Sequence, residues 1–512
     1  MNPIITLPTA LPLASLALLH AADTPPGVML ESRGLPLVLF NNDGDDLKWP
    51  AYPEHHASGL WVPGGPYLPL PKIHSLDDAL APRIGTLART RTQGLAYCGN
   101  FGLPIWELKR DHIAALGDDP LQPILQFWKR DGRTFFFSMR MNDIHHAWFN
   151  WAHLWSHFRR THRDLLLQPP TDTQWEREFV PWIEGKTKRP DISDSSMALD
   201  YSRAEVRAYY LDTLRDACHR YDLDGVELDW LRYPCLFREG EVNVETMTAF
   251  VRKARGVLDE TAKRRGHPVR LLARVPVTPE QALAIGLDVE AWLKAGWMDA
   301  VIVGPGTSFS SCPLERWVAL AHRHDVPVYG SMERQNRNQV LRYGSAETLR
   351  GAIATLWAKG ADGLYFFNYY LRDEMPLLDE FADPRRLARS PKEFFLEAGG
   401  NSDLTKSGGP LPLTFKAGTP AMVSLFIADD PAKAKETSIE IHFKGEDDFR
   451  PPAITLNGHP LTGLKSTRDK SDLVFTLSSA TLKESLRRGT NDFNFTSSAS
   501  ATLAALSVHV IP

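Results

Sequence analysis

The run DGVELDWLRYP, residues 224–234, holds a dense set of side chains that could do chemistry. Read as a strand, it puts Glu227 and Asp229 on one face and Val226 and Leu228 on the other, because side chains alternate along extended backbone. If the apolar pair packs on helices, both acids point the opposite way. Two carboxylates in a poorly solvated site repel, which raises at least one pKa and keeps an acid form at neutral pH. Cleavage of a glycosidic bond needs such a pair: one carboxyl protonates the leaving oxygen while the other attacks or activates water. The competing role for these acids is an ion-paired network with Arg232, Arg140 and Arg274, each near the end of an extended run.

Asp229 is the first catalytic candidate. Its partner is sought in Glu227 and in Glu333, which follows the run VYGSM and can instead pair with Arg334 or Arg337. Asp43, Asp45 and Asp143 close two other runs and suit vicinal sugar hydroxyls, which carboxylates bind well. Arg140, Asn142, Arg274, Tyr329 and Asn368 complete a ring of expected substrate ligands, with Arg232 beside them. So many arginines would also suit a uronic or sulfated sugar. Trp148, Trp151 and Trp155 could form a stacking wall for sugar rings or simply the core of their own segment.

Two rival functions use other residues. MNDIHHAWFNWAHLWSH brings His145, His146, His153 and His157 close together, with His153 and His157 one helical turn apart, a spacing that can chelate zinc in a metal-dependent hydrolase. No HExxH motif accompanies them. The other rival is a non-catalytic carbohydrate-binding protein whose barrel has lost one carboxylate. The carboxylate reading itself expects no cofactor and no metal.

These residues need a scaffold, and the chain supplies eight short β-branched or aromatic runs: 36–43, 94–100, 134–143, 224–230, 270–276, 299–306, 326–332 and 362–370. Longer segments of helical period separate several of them, the pattern of βα units around a parallel sheet. Eight such units predict a closed (β/α)8 barrel, whose active site lies at the C-terminal ends of the strands. Helices are expected over 202–221, with Ser202 and Glu205 as a capping box, over 244–265, and over 345–360 ending at Gly360. The insertion 144–200 is longer than a barrel needs, and a long loop on that rim usually shapes a substrate site.

Beyond residue 395 the texture changes to alternating segments such as AMVSLFI, TSIEIHF and DLVFTLS, with a turn at NGHP. The expected organisation is a possible signal peptide (1–22), the barrel (30–395), a linker (396–411) and an antiparallel β-sandwich (412–512). Residues 4–19 are apolar and end near Ala21 and Ala22, which suggests secretion to the periplasm or outside, though no Lys or Arg precedes them. A formal net charge of -4 gives no field to attract nucleic acid, and no other segment is apolar enough for a membrane span. The four cysteines are scattered, which predicts buried thiols rather than a disulfide framework. Nothing in the sequence sets the oligomeric state.

The phrases DGVELDWLRYP, SMRMND and LFNNDGDD resemble the glycoside hydrolase family 10-like barrel proteins of bacteria, over roughly residues 36–390. That resemblance implies a (β/α)8 glycosidase, usually exported, acting on polysaccharide or a glycoconjugate. More distantly, Asp224, Gly225, Glu227 and Asp229 fall in the register of the fourth-strand DGxDxDxE of family 18 chitinases. The last acidic position of that motif is Leu231 here, so its substrate-assisted mechanism is not implied.

Overall fold

The computed structural model describes residues 27–44, 47, 73–81, 83–100, 102–107, 111–147, 155–184, 186–304, 312–333, 345–367, 369, 375–396, 409–444, 452–469, 472–478 and 482–512. Eight parallel strands close into a barrel in chain order: β1 (Val38–Asn42), β2 (Gly94–Asn100), β3 (Thr134–Arg140), β4 (Gly225–Asp229), β5 (Arg270–Val275), β6 (Ala300–Val303), β7 (Val328–Glu333) and β8 (Gly363–Phe367). Seven lie inside the runs read from the sequence, and β7 starts within its run, 326–332, but continues one residue past it to Glu333, which was expected just beyond the strand.

Alternation along the strands builds two separate cores. Phe40, Tyr97, Phe137, Val226, Leu228, Val275, Val328 and Phe366 face out and join one large cluster with Met247, Phe250 and Leu258 of the helix Val244–Arg265. Leu39, Ala96, Phe136, Leu272, Ala300, Ile302, Tyr329, Tyr365 and Phe367 face in and fill the barrel. Leu30, from the short helix Val28–Ser32, joins that inner set, and a Cβ on Gly363 would lie 2.6 Å from its Cδ1. Gly363 opens β8, so the N-terminal helix stops the bottom of the barrel and leaves the strand C-termini as the mouth.

Local signals set the helix ends. Asn243 caps Val244–Arg265 by accepting from the Thr246 N–H, and Gly266 at φ 79° closes it in the left-handed region that glycine tolerates. Ser345 likewise caps Ala346–Ala358. The expected Ser202 cap does not form: Ala204–Arg220 starts after Arg203, which makes no side-chain cap bond. Asp200 takes the Ser202 N–H at 2.9 Å instead, turning the chain one residue before the helix can begin.

The C-terminal part is a two-sheet antiparallel sandwich. Its strands are β9 (Lys392–Phe395), β10 (Leu413–Phe415), β11 (Ala421–Ile427), β12 (Glu436–Lys444), β13 (Ala453–Leu456), β14 (His459–Pro460), β15 (Lys465–Asp469), β16 (Asp472–Ser478), β17 (Gly489–Thr496) and β18 (Ala501–Ile511). One sheet runs β10-β18-β12-β16-β15 with β9 also on β18, and the other β11-β17-β13-β14. The NGHP turn is a tight hairpin with Asn457 at φ 51° and Gly458 at φ 86°, both values that a two-residue primed turn demands.

β9 falls within the expected barrel range but pairs with the last strand, so the sandwich sheet begins before the linker. Its backbone also presses on a barrel helix: a Cβ on Gly351 would stand 2.0 Å from the Glu393 carbonyl oxygen. Lys392, almost fully buried, pairs with Asp429 at 2.8 Å, which ties β9 to the chain just after β11 within the sandwich. Cys98, Cys218 and Cys312 are buried thiols and Cys235 is half-buried, with no disulfide among them. Among the described residues no helix is long and apolar enough to cross a membrane.

Candidate active site at the barrel mouth

The β4 alternation holds. Val226 and Leu228 pack outward, and Glu227 and Asp229 turn into the barrel with Asp229 as the last residue of the strand. Both acids are fully buried. Their surroundings differ in a way that sets their chemistry apart.

Glu227 sits among neutral donors. Its Oε1 accepts from the Tyr365 hydroxyl at 2.6 Å and its Oε2 from Asn41 Nδ2 at 3.0 Å, while the same Asn41 nitrogen reaches Ser138 Oγ at 3.0 Å. Burial, and then the charge of Asp229 above it, push the Glu227 carboxyl up to about 7, against the opposing pull of Tyr365 and Arg274. The Tyr365 phenol is itself driven well up, first by burial and then by the Glu227 charge, so it stays a donor. Two further polar atoms in this shell, Asn41 Oδ1 and Ser331 Oγ, are buried with no partner.

Asp229 meets a cation instead. Arg274, at the same level of β5, approaches its two oxygens at 3.2 and 3.3 Å, and Asp229 Oδ1 also takes the Leu231 N–H at 3.0 Å. The Arg274 guanidinium lies 3.9 Å over the Phe367 ring at the end of β8. Removing one partner of such a buried pair would leave the other uncompensated.

The other expected site residues sort into three groups. Arg140 and Asp143 form a buried pair at 2.8 Å beside β4, and Asp143 also holds His145 Nδ1 at 2.7 Å. Arg232, just past β4, lies 5.1 Å over Phe367 with its Nη2 3.2 Å from His145 Nε2. Asp43 is buried against Arg83 at 2.6 Å, at the end of β1.

Asn142 and Tyr329 turn elsewhere. The Asn142 amide spans the insertion, giving hydrogen bonds to the Leu199 and Cys235 carbonyls at 2.9 and 2.6 Å and taking the Leu199 N–H at 2.9 Å. It staples a loop rather than meeting the cleft. Tyr329 gives its hydroxyl proton to the Pro36 carbonyl at 2.5 Å, below β1, which puts it at the closed end of the barrel. It is the second residue of β7, one full pleat too low for the mouth.

Glu333 ends β7 opposite Phe367 in register, and its side chain lies outside the described residues. Asp45, Trp148, Trp151, His153 and Asn368 also lie outside them, as does the expected signal segment 1–22. Trp155 is buried in the insertion core, edge-on to Trp175 and Trp182 at 5.5 and 6.1 Å, so it is not a sugar wall.

The described members of the histidine set do not converge. His145 serves Asp143 and Arg232, His146 is buried against Trp155 with its ring centroid 4.6 Å away, and His157 opens an exposed helical turn. Burial, reinforced by Arg159, holds His146 well below the usual imidazole range. Among the described residues no three His, Cys, Asp or Glu side chains gather as a metal site.

Three residues at this site were not singled out from the sequence: Asn41, Ser138 and Tyr365. The available signal was strand parity, since each is a polar or hydroxyl-bearing residue on the inward register of a strand that is otherwise apolar.

No family model and no curated protein matches the chain. Solved structures that align with it include an Anoxybacillus alpha-amylase, with 11% identity over 90% of this chain and 98% of that one and a TM-score of 0.40. A glycoside hydrolase domain from Bordetella bronchiseptica aligns at 9% identity over 68% and 98%, with a TM-score of 0.40. A glycoside hydrolase family 18 N-acetylglucosaminidase from Paenibacillus barengoltzii aligns at 13% identity over 58% and 94%, with a TM-score of 0.34. At these scores no residue role or substrate carries across, and function is argued from the residues themselves.

Proposed function

We propose that the protein is a glycoside hydrolase acting on a polysaccharide or glycoconjugate, with Asp229 at the centre of its site. One observation carries the proposal: two inward carboxylates on one strand end, Glu227 held among neutral donors and Asp229 held against a guanidinium. Glu227 keeps a proton near neutral pH, while Asp229 faces Arg274 as the anionic partner of an ion pair. Acid and base forms side by side at one pH are what glycosidic cleavage uses.

This reading requires a second carboxylate across the scissile bond, and Glu333, the last residue of β7, is the candidate for it. One of the two carboxyls that flank the bond, Asp229 or Glu333, gives its proton to the leaving oxygen as the bond from that oxygen to the anomeric carbon breaks; water leaves its hydroxyl on the anomeric carbon and its proton on the carboxyl pair, which restores it. Glu227 lies one pleat below Asp229 and sets how much negative charge the pair carries. Its neutral form lowers the repulsion that Asp229 feels as it accepts positive charge building on the sugar.

A binding protein is the second reading, favoured by the full commitment of Asp229 to Arg274 and the Leu231 N–H. A panel of aryl glycosides and polysaccharides separates the two. Hydrolysis that falls at least about a thousandfold in Asp229→Asn and survives EDTA supports the proposal, since loss of a catalytic carboxylate removes transition-state stabilisation while leaving the shape. Binding without cleavage across the panel, or wild-type turnover in Asp229→Asn, refutes it. Loss on EDTA treatment with recovery on zinc moves the chemistry to the histidine segment.

A further inference from the structure

The surroundings of Arg232 bear on what kind of sugar this site accepts. Three arginines stand around the upper end of β4, and two of them are answered: Arg140 by Asp143 at 2.8 Å and Arg274 by Asp229 at 3.2 Å. Among the described residues no carboxylate reaches Arg232. Its Nη2 meets the His145 Nε2 nitrogen and its face lies over the Phe367 ring, but its Nε is buried with no hydrogen-bond partner.

This cation is nevertheless held in place. Asp143 takes the Nδ1 proton of His145 at 2.7 Å and its backbone N–H at 2.8 Å, which turns the Nε2 lone pair toward Arg232. Burial keeps that imidazole below its ordinary range, so it acts as a neutral acceptor and adds no charge. The next residue, Tyr233, sits at φ 62°, a left-handed conformation uncommon for a bulky side chain, with its ring edge-on to His145 at 5.5 Å. The ring below, the imidazole beside and the backbone behind together aim a half-buried guanidinium at the barrel mouth. A desolvated donor without a counter-ion is costly unless something that binds there supplies one.

We infer that Arg232 binds an anionic group of the substrate, so that the hydrolase proposed above acts on an acidic glycan. The inference rests on that reading for the position of the sugar, and it adds the chemical class. The planar fork of arginine matches a carboxylate through two parallel N–H bonds, which makes a uronic acid the natural ligand and a sulfate ester the other source of the same chemistry. Among the described residues around the upper end of β4, the pairing of Arg140 and Arg274 with protein carboxylates leaves one net positive charge when Glu227 is neutral. A neutral sugar would leave that charge uncompensated.

The test uses the full chain and two acidic probes, each with a neutral control: oligogalacturonate against its methyl ester, and a sulfated galactan oligosaccharide free of uronic acid against its desulfated form. Binding is measured by calorimetry to the wild-type chain with S-linked, uncleavable analogues of the probes, so that Arg274 keeps Asp229 as its counter-ion, and cleavage by reducing-end release with the O-linked probes. The expected result is a preference for an acidic probe over its neutral control of about tenfold or more, falling about 10- to 100-fold in Arg232→Gln, as for loss of a hydrogen-bonded charge pair. Arg232→Lys keeps the charge but loses the fork, and recovers part of the preference if the ligand is a carboxylate. Tryptophan emission and circular dichroism matched to wild type show that both variants are folded.

Acidic probes that bind or react no better than their neutral controls overturn the inference, as does a preference that survives in Arg232→Gln. Binding of an acidic probe without cleavage, lost in Arg232→Gln, keeps the inference and refutes hydrolysis. Cleavage of neutral probes alone, indifferent to Arg232, does the reverse.

Discussion

Glu227→Gln should stabilise the protein, and more so as pH rises. In the folded barrel the Glu227 carboxyl titrates at about 7 against an ordinary 4.5, so between those values the folded state binds a proton that the unfolded state has released. Stability rises with pH only where the unfolded state binds more protons, so this group makes stability fall across that window. The penalty is absent below about 4.5 and fully present above about 7. With 1.36 kcal/mol per unit, it comes to about 1 kcal/mol at pH 5 and about 3 kcal/mol at pH 8.

Glutamine keeps the shape and removes the titration. It also finds partners: the Tyr365 hydroxyl still has an acceptor, and rotating the Asn41 amide turns its unpartnered Oδ1 toward the new N–H. The assay is urea unfolding followed by tryptophan emission at pH 5 and pH 8. All 14 tryptophans lie at or before residue 357, so the signal reports the barrel and not the sandwich. The stability gap between Glu227→Gln and wild type should widen by roughly 2 kcal/mol from pH 5 to pH 8. A gap that stays constant, or that favours wild type at pH 8, refutes the view that Glu227 is held protonated by its surroundings.

Arg274→Met should cost about 3 to 5 kcal/mol, because it strands the buried Asp229 carboxylate, and adding Asp229→Asn should recover much of that loss. The same urea assay checks it, and strictly additive losses would mean the pair is not coupled. Gly351→Ala should lower stability by about 1 to 3 kcal/mol although alanine favours helix, because the new methyl meets the Glu393 carbonyl where the sandwich sheet packs on the barrel. A raised thermal midpoint in that variant would show that the junction yields easily.

The scaffold was readable because burial on both faces of a parallel strand leaves an apolar run that turns and helices interrupt. The inward direction of Glu227 and Asp229 was readable for the same reason: parity is fixed once Val226 and Leu228 must pack on helices. Height along the barrel axis was less legible. Tyr329 has inward parity, but its run starts before the strand does, and the residue lands at the floor beside Gly363. The partners of Glu227 come from β1, β3 and β8, strands whose order around the barrel is known but whose stagger is not written in any one of them. Asn142 and Trp155 show the other limit. Polar and aromatic residues of a long insertion look like ligands in sequence, yet the insertion must first satisfy its own backbone and build its own core.

The interior of the barrel changes character from floor to mouth, and that gradient explains why the chemistry gathers at one level. Leu39, Phe136, Leu272, Ala300 and Tyr329 pack with Leu30 into an apolar floor. Above it, Asn41, Ser138, Tyr365 and Glu227 form a shell of neutral hydrogen bonds around one acid. At the top, Asp229, Arg274, Arg140 and Asp143 form ion pairs, and Phe367 offers its ring to two guanidinium groups. An anion at the Glu227 level has apolar packing beneath it and a second anion above, so it is the acid that must give way. Asp229 is met by Arg274 from the neighbouring strand, and Glu227 has no such cation at hydrogen-bond distance. The two levels therefore act together on Glu227: the charge of Asp229 pushes its carboxyl up and Arg274 pulls it down, so a cation developing on a bound sugar beside Asp229 would add to the pull that Arg274 exerts.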